Sequence, residues 1–460
     1  IALVAEGRYA DAVRLIRKDN PFPTACAMVC EHPCEARCRR NMVDDAVSIR
    51  ALKRYAVDHA GKVPVPERAA ATGKRVAVIG GGPGGLSAAY FLSLMGHEVE
   101  VFEKKSALGG MLRYGIPNYR LPRERLDEDI EAILSTGVKV SLNVEIGKDF
   151  SLRELRRRFD CIYIAIGAQA DKTVGIEGEK LRGVISAVEM LREVGDGVTP
   201  DFTGKRVVII GGGNVAMDCA RSARRMGAER VTCVYRRREE DMTALHEEIE
   251  GAMAEGCEIL TLQAPLRIEG DEEGRVAALW TRPQIIGGPD AGGRPRPRPA
   301  DVPERRIPCD IVVVAIGQGI EVAPFEEYGV PIKRGVIDAM STSDIGTITG
   351  VFAGGDCVTG PATAVMAIAA GKVAAANIDE YLGFRHEITV DVEIPGVRFY
   401  DHPACGRVSP DERPADERRD DFELIESALT AQEAQQEARR CLRCDHFGYG
   451  GFKGGRSKQW

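Results

Sequence analysis

The chain has 460 residues, of which 44% are hydrophobic and 28% charged, a composition typical of a folded protein with more than one domain. Its net charge of −7, from 62 basic and 69 acidic side chains, argues against binding to nucleic acid through a basic surface. No apolar run approaches the roughly 18–20 residues of a membrane-spanning helix, and no signal peptide opens the chain. We therefore expect a cytoplasmic protein without a transmembrane segment or a nucleic-acid partner. The sequence starts within a helical pattern, so we also expect further residues upstream.

Residues 1–60 have a helical pattern in which four of the thirteen cysteines are clustered, and residues 61–73 are predicted to form a linker. These four are Cys26, Cys30, Cys34 and Cys38. Without a secretory signal, clustered cysteines indicate a metal or iron–sulfur site rather than disulfides. An iron–sulfur cluster suits four thiolates at this spacing; a zinc ion is the rival, and reduced buried thiols are the purely structural alternative.

Residues 74–384 alternate apolar runs with helical patterns, which predicts an α/β fold with parallel sheets. One strand–loop–helix–strand unit occurs twice in this region. Its loop residues are Gly80, Gly82 and Gly85 in the first copy, and Gly211, Gly213, Asn214 and Ala216 in the second. The first glycine allows a tight turn, the second lets the backbone approach a pyrophosphate, and the third position packs the helix against the strand. Two copies in this context predict two Rossmann-like nucleotide-binding units.

The residues after the second strand of each copy differ in charge. The first copy ends in Glu103, which can accept hydrogen bonds from a ribose diol, as expected for an adenosine without a 2′-phosphate. The second ends in Arg236, Arg237 and Arg238, whose guanidinium groups can pair with a 2′-phosphate. This difference favours NADP(H) over NAD(H) in the second unit, and a solvated basic patch is the structural alternative. Farther along, the Pro-, Gly- and Arg-rich residues 287–306 are predicted to form a surface loop.

A short apolar strand late in the α/β region ends in Gly355 and Asp356. An aspartate at that position can bind a ribitol hydroxyl, although a turn residue is the alternative when Asp356 is considered alone. The apolar helix that follows Thr363 can direct its positive end at a flavin carbonyl. These residues are therefore candidates for the second half of a flavin site.

The last region, residues 385–460, contains a second cysteine motif, Cys441-x-x-Cys444. Cys405, His402 and His446 are further candidate ligands in the same region. Three interpretations stay open: a zinc or iron–sulfur site of its own, a half-site completed by a partner chain, or reduced thiols in an interaction tail.

Taken together, the motifs resemble the small, flavin-containing subunit of glutamate synthase and its relatives. These relatives include the N-terminal half of dihydropyrimidine dehydrogenase and the large subunit of NADH-dependent ferredoxin:NADP oxidoreductase. The resemblance covers residues 1–384 and rests on Asn20–Pro23, Val29–Cys38, Gly80–Gly85 with Glu103, Gly109–Pro117, Gly211–Ala216 with Asp218, Tyr235–Arg237 and Ala353–Asp356.

The resemblance implies FAD on the first unit, with Gly110 among its contacts, and NAD(P)H on a second unit inserted into the first. It also implies 4Fe–4S clusters on the N-terminal cysteines. The family often has a Glu or Gln ligand where this chain has Lys53, and a protonated lysine cannot bind iron, so Cys26 is the alternative ligand. The expected domains are 1–73 for the iron–sulfur domain and linker, 74–200 with 319–384 for FAD, 201–318 for NAD(P)H, and 385–460 for a C-terminal extension.

We therefore predict an NAD(P)H-dependent flavin and iron–sulfur oxidoreductase subunit. Hydride passes between NADP(H) and FAD, and single electrons pass through 4Fe–4S clusters to or from another redox subunit that carries iron–sulfur or flavin, with electron bifurcation as one option. No cysteine pair lies near either glycine loop, which argues against a dithiol mechanism. The alternatives are a glutamate synthase small subunit that feeds a glutaminase-bearing partner and a non-catalytic nucleotide-binding scaffold. Hydride transfer needs alignment rather than an acid or base, so we nominate no catalytic side chain.

Overall fold

The computed structural model describes residues 1–290, 293–397 and 402–447. The helices in these ranges are α1 (Ala2–Ala5), α2 (Tyr9–Arg17), α3 (Pro23–Val29), α4 (Pro33–Ala36), α5 (Ile49–His59), α6 (Pro83–Leu94), α7 (Met111–Tyr114), α8 (Arg123–Leu134), α9 (Leu152–Arg158), α10 (Ala187–Gly195), α11 (Asn214–Arg225), α12 (His246–Ala254), α13 (Ala323–Glu326), α14 (Asp356–Thr359), α15 (Ala364–Tyr381), α16 (Ala415–Arg418) and α17 (Ala431–Arg439). Short 3₁₀ turns occupy Arg39–Met42, Glu239–Asp241 and Cys444–Phe447. None of the helices in the described ranges combines the length and apolar character needed to span a lipid bilayer.

The strands form two parallel sheets of five strands each and smaller antiparallel sheets. The strands are β1 (Arg75–Ile79), β2 (Glu98–Glu103), β3 (Lys139–Leu142), β4 (Cys161–Ile164), β5 (Ala170–Asp171), β6 (Val184–Ser186), β7 (Arg206–Ile210), β8 (Arg230–Val234), β9 (Glu258–Leu260), β10 (Gln263–Gly270), β11 (Val276–Pro289), β12 (Pro295–Pro299), β13 (Arg305–Pro308), β14 (Ile311–Val314), β15 (Gln318–Gly319), β16 (Ile332–Lys333), β17 (Val336–Ile337) and β18 (Val351–Ala353). The predicted α/β class with two parallel Rossmann-like units is therefore confirmed.

The first parallel sheet has the strand order β18-β4-β1-β2-β3. Register follows the apolar runs, with Val78 opposite Val101 on one side and Tyr163 on the other. Helix α6 is buried along almost its whole length, because α15 covers its outer face. A Cβ atom at Gly371 of α15 would lie 2.2 Å from the carbonyl oxygen of Gly84, so a glycine at position 371 permits this close helix contact.

The second parallel sheet has the order β6-β14-β7-β8-β9 and repeats the arrangement of the first. Its edge strand β6 precedes the unit in the chain, whereas β18 of the first sheet follows its unit. Between β9 and β14 the chain forms an antiparallel sheet in which β11 pairs with β10, β12 and β13. The prediction of a surface loop over residues 287–306 is therefore wrong. Prolines alternate with arginines in β12, but an edge strand tolerates residues that lack a backbone N–H.

The described part of the C-terminal extension packs against the N-terminal helices. Leu429 and Ala438 belong to the same apolar core as Leu3 and Leu52, which are buried. Before α17, the chain passes over the α/β region, where the backbone N–H of Ile425 donates to the carbonyl of Tyr119 at 3.1 Å. The C-terminal extension and the N-terminal helical region therefore share one apolar core.

Candidate active site

The first glycine loop is shaped by close backbone contacts. Gly80 has a φ of +110°, and a Cβ there would lie 2.4 Å from the carbonyl oxygen of Ala165 on the neighbouring strand. A Cβ at Gly85 would lie 1.9 Å from the carbonyl oxygen of Gly80. Across the loop, a Cβ at Gly110 would lie 2.6 Å from the Cα of Gly82. Only glycine fits these positions, and the loop leaves its backbone open to a ligand at the start of α6.

Glu103 is fixed at the end of β2 by backbone donors. Its Oε2 accepts a hydrogen bond from the N–H of Gly81 at 2.7 Å, and its Oε1 accepts one from the N–H of Lys105 at 2.8 Å. The side chain is only 5% exposed. Each carboxylate oxygen can accept a second hydrogen bond, so the group is held in place to receive ribose hydroxyls.

Asp356 supplies the matching group from the end of β18. Gly355, with a φ of +75°, turns the chain into α14, which starts at Asp356. The Oδ1 atom of Asp356 is buried and has no hydrogen-bond partner among the described residues. Burial raises the pKa of this carboxyl group to about 6. An orphaned carboxylate oxygen fits a hydroxyl donor of a bound flavin nucleotide.

One cleft joins these groups. Its lining includes Gly80, Gly82, Glu103, Gly110, Gly355 and Asp356. Most of the residues predicted for FAD are thus brought together, although they come from three separate stretches of the chain. Thr363 lies instead in an adjoining cavity, where its hydroxyl caps α15 by accepting from the N–H of Met366.

That adjoining cavity is lined by three parts of the chain. Cys26 and Cys30 come from the N-terminal region, Thr363 from the first nucleotide unit and Asn214 from the second. Asn214 is oriented by two contacts: its Nδ2 donates to Glu31 at 2.9 Å and its Oδ1 accepts from the N–H of Leu245 at 2.8 Å. The cavity therefore adjoins both glycine loops and two of the clustered cysteines.

The second glycine loop repeats the first in its backbone. A Cβ at Gly211 would lie 2.3 Å from the carbonyl oxygen of Ala315, the counterpart of the contact between Gly80 and Ala165. Gly213 is the N-cap of α11. The ring of Tyr235 covers Gly212, since a Cβ there would lie 2.6 Å from the ring.

The arginines after β8 have different environments. Arg236 is exposed, whereas Arg237 is buried and donates to Asp290 at 3.0 Å and to the carbonyl of Pro295 at 2.8 Å. Arg238 is paired with Asp241. In this structure the guanidinium of Arg237 fastens the β11–β12 hairpin, and Arg236 is the one of the two left open; the cofactor contact expected of Arg237 stays a prediction.

The four N-terminal cysteines form a graded series from buried to exposed. Cys26 is 2% exposed, Cys30 and Cys38 are half-buried, and Cys34 is exposed. Burial raises the pKa of Cys26 and Cys34, and the nearby charge of Lys53 opposes this effect at both thiols. Lys53 therefore lies beside the cysteines, where it favours thiolates without being a ligand itself.

In the described residues, the cysteine sulfurs do not form the compact set that a tetrahedral zinc ion needs. A tetrahedral zinc site holds its sulfur atoms about 3.8 Å apart. Among the residues that the structure describes, no three candidate ligand atoms that include a cysteine lie within 4.8 Å of one another. A cubane cluster spaces its ligands more widely because four irons separate them. The thiols are thus compatible with iron–sulfur binding.

The tail cysteines lie against the same N-terminal region. Cys441 and Cys38 pack on one apolar core, and Arg40 Nη2 lies 3.8 Å from Cys405 Sγ. Cys444 is half-buried in the final 3₁₀ turn. The side chain of His446 lies outside the described residues.

A buried ionic network that the sequence analysis does not predict lies at the junction of the two units. Arg120 donates to both carboxylate oxygens of Asp218 at 2.9 Å and pairs with Glu248 at 2.9 Å. Burial raises the pKa of Asp218 to about 6, against the attraction of Arg120. The only signal in the sequence was Asp218, one helical turn after Asn214.

Two family models match the chain. The pyridine nucleotide-disulphide oxidoreductase model covers residues 74–371, and the dihydropyrimidine dehydrogenase domain II, 4Fe-4S cluster model covers residues 1–64. These matches and the cleft support FAD, NADP and a 4Fe–4S cluster as the cofactors, and they argue against the non-catalytic scaffold.

Curated relatives align over most of the chain. The NADP(+)-dependent formate dehydrogenase subunit beta of Moorella thermoacetica is 38% identical over 486 aligned positions, covering 97% of this chain and 69% of the relative. The NADPH-Fe(3+) oxidoreductase subunit beta of Geobacter sulfurreducens is 35% identical, covering 96% and 72%. The glutamate synthase (NADPH) small chain of Escherichia coli is 35% identical, covering 83% and 85%.

Solved structures agree in fold. FprA from Mycobacterium tuberculosis in complex with NADPH superposes with a TM-score of 0.59 at 20% identity, covering 67% of this chain and 85% of that one. Thioredoxin reductase from T. acidophilum has a TM-score of 0.51 at 20% identity, covering 67% and 98%. The chain belongs to the pyridine nucleotide-disulphide oxidoreductase family, within its glutamate synthase small-subunit-like branch, and is an NAD(P)H-dependent flavin oxidoreductase with an N-terminal 4Fe–4S domain.

Proposed function

We propose that this chain is the NADP(H)-oxidising or NADP⁺-reducing subunit of a multi-subunit redox enzyme. In it, hydride passes between NADP(H) and FAD, and electrons pass singly through 4Fe–4S clusters to or from a partner. The cavity that adjoins the flavin cleft carries this proposal, because Cys26, Cys30, Thr363 and Asn214 all line it. Bound FAD supplies the exchange between two-electron and one-electron chemistry. The protein holds the nucleotides and excludes water.

Particular residues have distinct proposed roles. Those proposed for FAD are Gly80, Gly82, Gly85, Glu103, Gly110, Gly355, Asp356 and Thr363, and those for NADP(H) are Gly211, Gly213, Asn214 and Arg236. The backbone N–H groups of each loop hold a pyrophosphate. The carboxylates of Glu103 and Asp356 accept hydrogen bonds from hydroxyl groups of the flavin nucleotide.

We further propose Cys26, Cys30, Cys34 and Cys38 as cluster ligands. Lys53 occupies the position of the family's non-cysteine ligand, and its charge acts on Cys26 and Cys34, so Cys26 is placed to substitute for that ligand. Cys441 and Cys444 are proposed as ligands of a further metal site in the tail. Iron and zinc analysis of a variant with both Cys441→Ser and Cys444→Ser tests the tail site, and unchanged metal content would eliminate it.

The comparisons favour a modular electron-transfer complex over glutamate synthesis. Similarity to the formate dehydrogenase subunit covers 97% of this chain, whereas similarity to the glutamate synthase small chain covers 83%. Those relatives are themselves named as subunits, so the proposed partner is another redox subunit. Bifurcation of electrons at the flavin stays a prediction.

Anaerobic titration of the purified chain with NADPH and then NADH, followed by visible absorbance, tests the proposal. We expect NADPH to bleach the flavin at a lower concentration than NADH does, and the broad iron–sulfur absorbance to fall in the same titration. A flavin that neither nucleotide bleaches would rule out hydride transfer. Bleached flavin beside unchanged iron–sulfur absorbance would rule out the relay.

A further inference from the structure

The β11–β12 hairpin folds back onto the loop that follows β8. Its strands pair antiparallel, with Ile286 opposite Pro297 and a register shift between Ile286 and Pro289. The guanidinium of Arg237 holds the hairpin by donating hydrogen bonds to Asp290 and to the carbonyl of Pro295. The hairpin thus reaches the end of β8, where the adenosine ribose of a dinucleotide binds in a Rossmann-like unit.

Arg294, on the hairpin, brings a second guanidinium to this place. Its Nη2 donates to the hydroxyl of Tyr235 at 2.9 Å and to the carbonyl of Asp241 at 2.7 Å. The ring of Tyr235 in turn covers Gly212 of the nucleotide loop. Arg294 is therefore held against Tyr235, whose ring lies against the loop, and Arg236 is the residue that follows Tyr235 in the chain.

The charge of Arg294 lacks a counter-ion in the described part of the chain. The carboxylate of Asp241 is paired with Arg238, and that of Asp290 accepts from Arg237. Arg294 itself is half-buried and forms no ion pair with any described carboxylate. A half-buried guanidinium whose partners, the Tyr235 hydroxyl and the Asp241 carbonyl, are neutral is suited to an anionic ligand, because a phosphate offers several acceptor oxygens to its remaining N–H groups.

We propose that Arg294 binds the 2′-phosphate of NADP(H) together with Arg236, and that Arg237 is a positioning residue that holds the hairpin in place. The proposal rests on the proposed NADP(H) role of the second unit and names the residues that set its specificity. NADH lacks the 2′-phosphate, so Arg294 should add affinity for NADPH alone.

The test compares Arg294→Gln with Arg298→Gln in the full chain. Glutamine at 294 removes the charge but retains a donor for Tyr235, whereas Arg298 is exposed on β12 of the same hairpin and forms no ion pair among the described residues. We expect Arg294→Gln to raise the KM for NADPH about tenfold, as the loss of one charged hydrogen bond predicts, with kcat and the KM for NADH unchanged. Arg298→Gln should match the parent, and Arg294→Lys should fall between parent and Arg294→Gln.

Binding of 2′,5′-ADP, measured by calorimetry, gives a second readout that does not depend on hydride transfer. Arg294→Gln should lower the affinity for 2′,5′-ADP and leave the affinity for 5′-ADP unchanged. Equal loss for both ligands, or no loss for either, would overturn the proposal, since Arg294 would then be structural or irrelevant. If the parent chain binds 2′,5′-ADP through Arg294 but NADPH does not bleach its flavin, the proposed function fails and this inference stands.

Discussion

The two Rossmann-like units share a backbone but differ in what they place at its edges. In both, the first loop glycine lies against an alanine carbonyl of the neighbouring strand, at Ala165 and Ala315. The first unit adds carboxylates, the buried Glu103 and the half-buried Asp356, whereas the second adds guanidinium groups after β8. We therefore propose that the glycine loop provides a nucleotide site in both units, while the residues at the strand ends decide which nucleotide each unit binds.

The helices that follow the two loops differ as well. Helix α6 of the first unit is apolar and lies between the sheet and α15. Helix α11 of the second buries charged groups instead, since Arg221 and Arg225 both pair with Glu255. Arg418 of the C-terminal extension pairs with the same carboxylate. Helix α6 is thus held by apolar packing, whereas α11 combines apolar packing with buried ion pairs.

Alanine at the first loop glycine of each unit should give the largest effects and separate the units. Gly80→Ala creates a severe contact with Ala165, so we expect loss of most of the bound flavin and of the yellow colour. Gly211→Ala creates the same contact with Ala315, so we expect flavin content to be retained and reduction by NADPH to fall at least about tenfold, from strain of more than roughly 2 kcal/mol.

Flavin content by absorbance and the rate of anaerobic bleaching measure these two outcomes. Gly396→Ala is the matched control, because a Cβ there meets no atom within 4 Å. If Gly211→Ala lost flavin as completely as Gly80→Ala, the assignment of FAD to the first unit and NADP(H) to the second would be refuted.

Removing the charge of Glu255 should give the next largest effect. Glu255 is fully buried among Arg221, Arg225 and Arg418. We expect Glu255→Gln to destabilise the fold by about 3–5 kcal/mol at pH 7, since it leaves buried guanidinium groups without their counter-charge. Chemical denaturation measures the change, and Glu250→Gln, on the exposed face of the same helix, should cost under about 1 kcal/mol.

The pH dependence of the Glu255→Gln variant sharpens this prediction. Burial opposes ionisation of Glu255, but hydrogen bonds from Arg225 and Arg221 lower its pKa to about 2. A lowered pKa gives stability that is present above the unfolded value of about 4.5 and is lost as pH falls toward 2. The parent and Glu255→Gln should therefore converge in stability between about pH 4.5 and pH 2. A constant difference over that range would show that the carboxylate charge is not the cause.

Local geometry explains what the sequence could predict. The glycine loops, Glu103 and Asp356 can be predicted from the sequence. Each belongs to a strand–turn–helix pattern, whose residues are close together in the chain or stand at equivalent strand ends. The role of Arg237 cannot be predicted in this way, because its partner Asp290 is 53 residues away on a hairpin that the composition predicts to be a loop. Likewise, the pairing of Arg418 with Glu255 spans 163 residues, and no period or spacing reports such a contact.

Substitution of Asp356 should give the smallest effect. It tests the role of the carboxylates at the strand ends of the first unit. Burial raises its pKa to about 6 in the free protein, so the folded state holds a proton that the unfolded state releases near pH 4. A carboxyl pKa that is raised by folding means that stability falls as pH rises from about 4 to about 6. Without flavin, the parent should lose up to roughly 2–3 kcal/mol across this range, and Asp356→Asn should not.

Flavin binding should reduce that loss, because a ligand hydroxyl donating to Asp356 Oδ1 stabilises the ionised carboxylate. Thermal unfolding of the flavin-free and flavin-loaded forms, at pH 4 and pH 7, measures both effects for the parent and Asp356→Asn. In the second unit no described strand-end residue has the equivalent role, so NADP⁺ should leave this pH dependence unchanged. If NADP⁺ suppressed the dependence as well as FAD does, Asp356 would be responding to closure of the two units together, and its assignment to the flavin edge alone would be wrong.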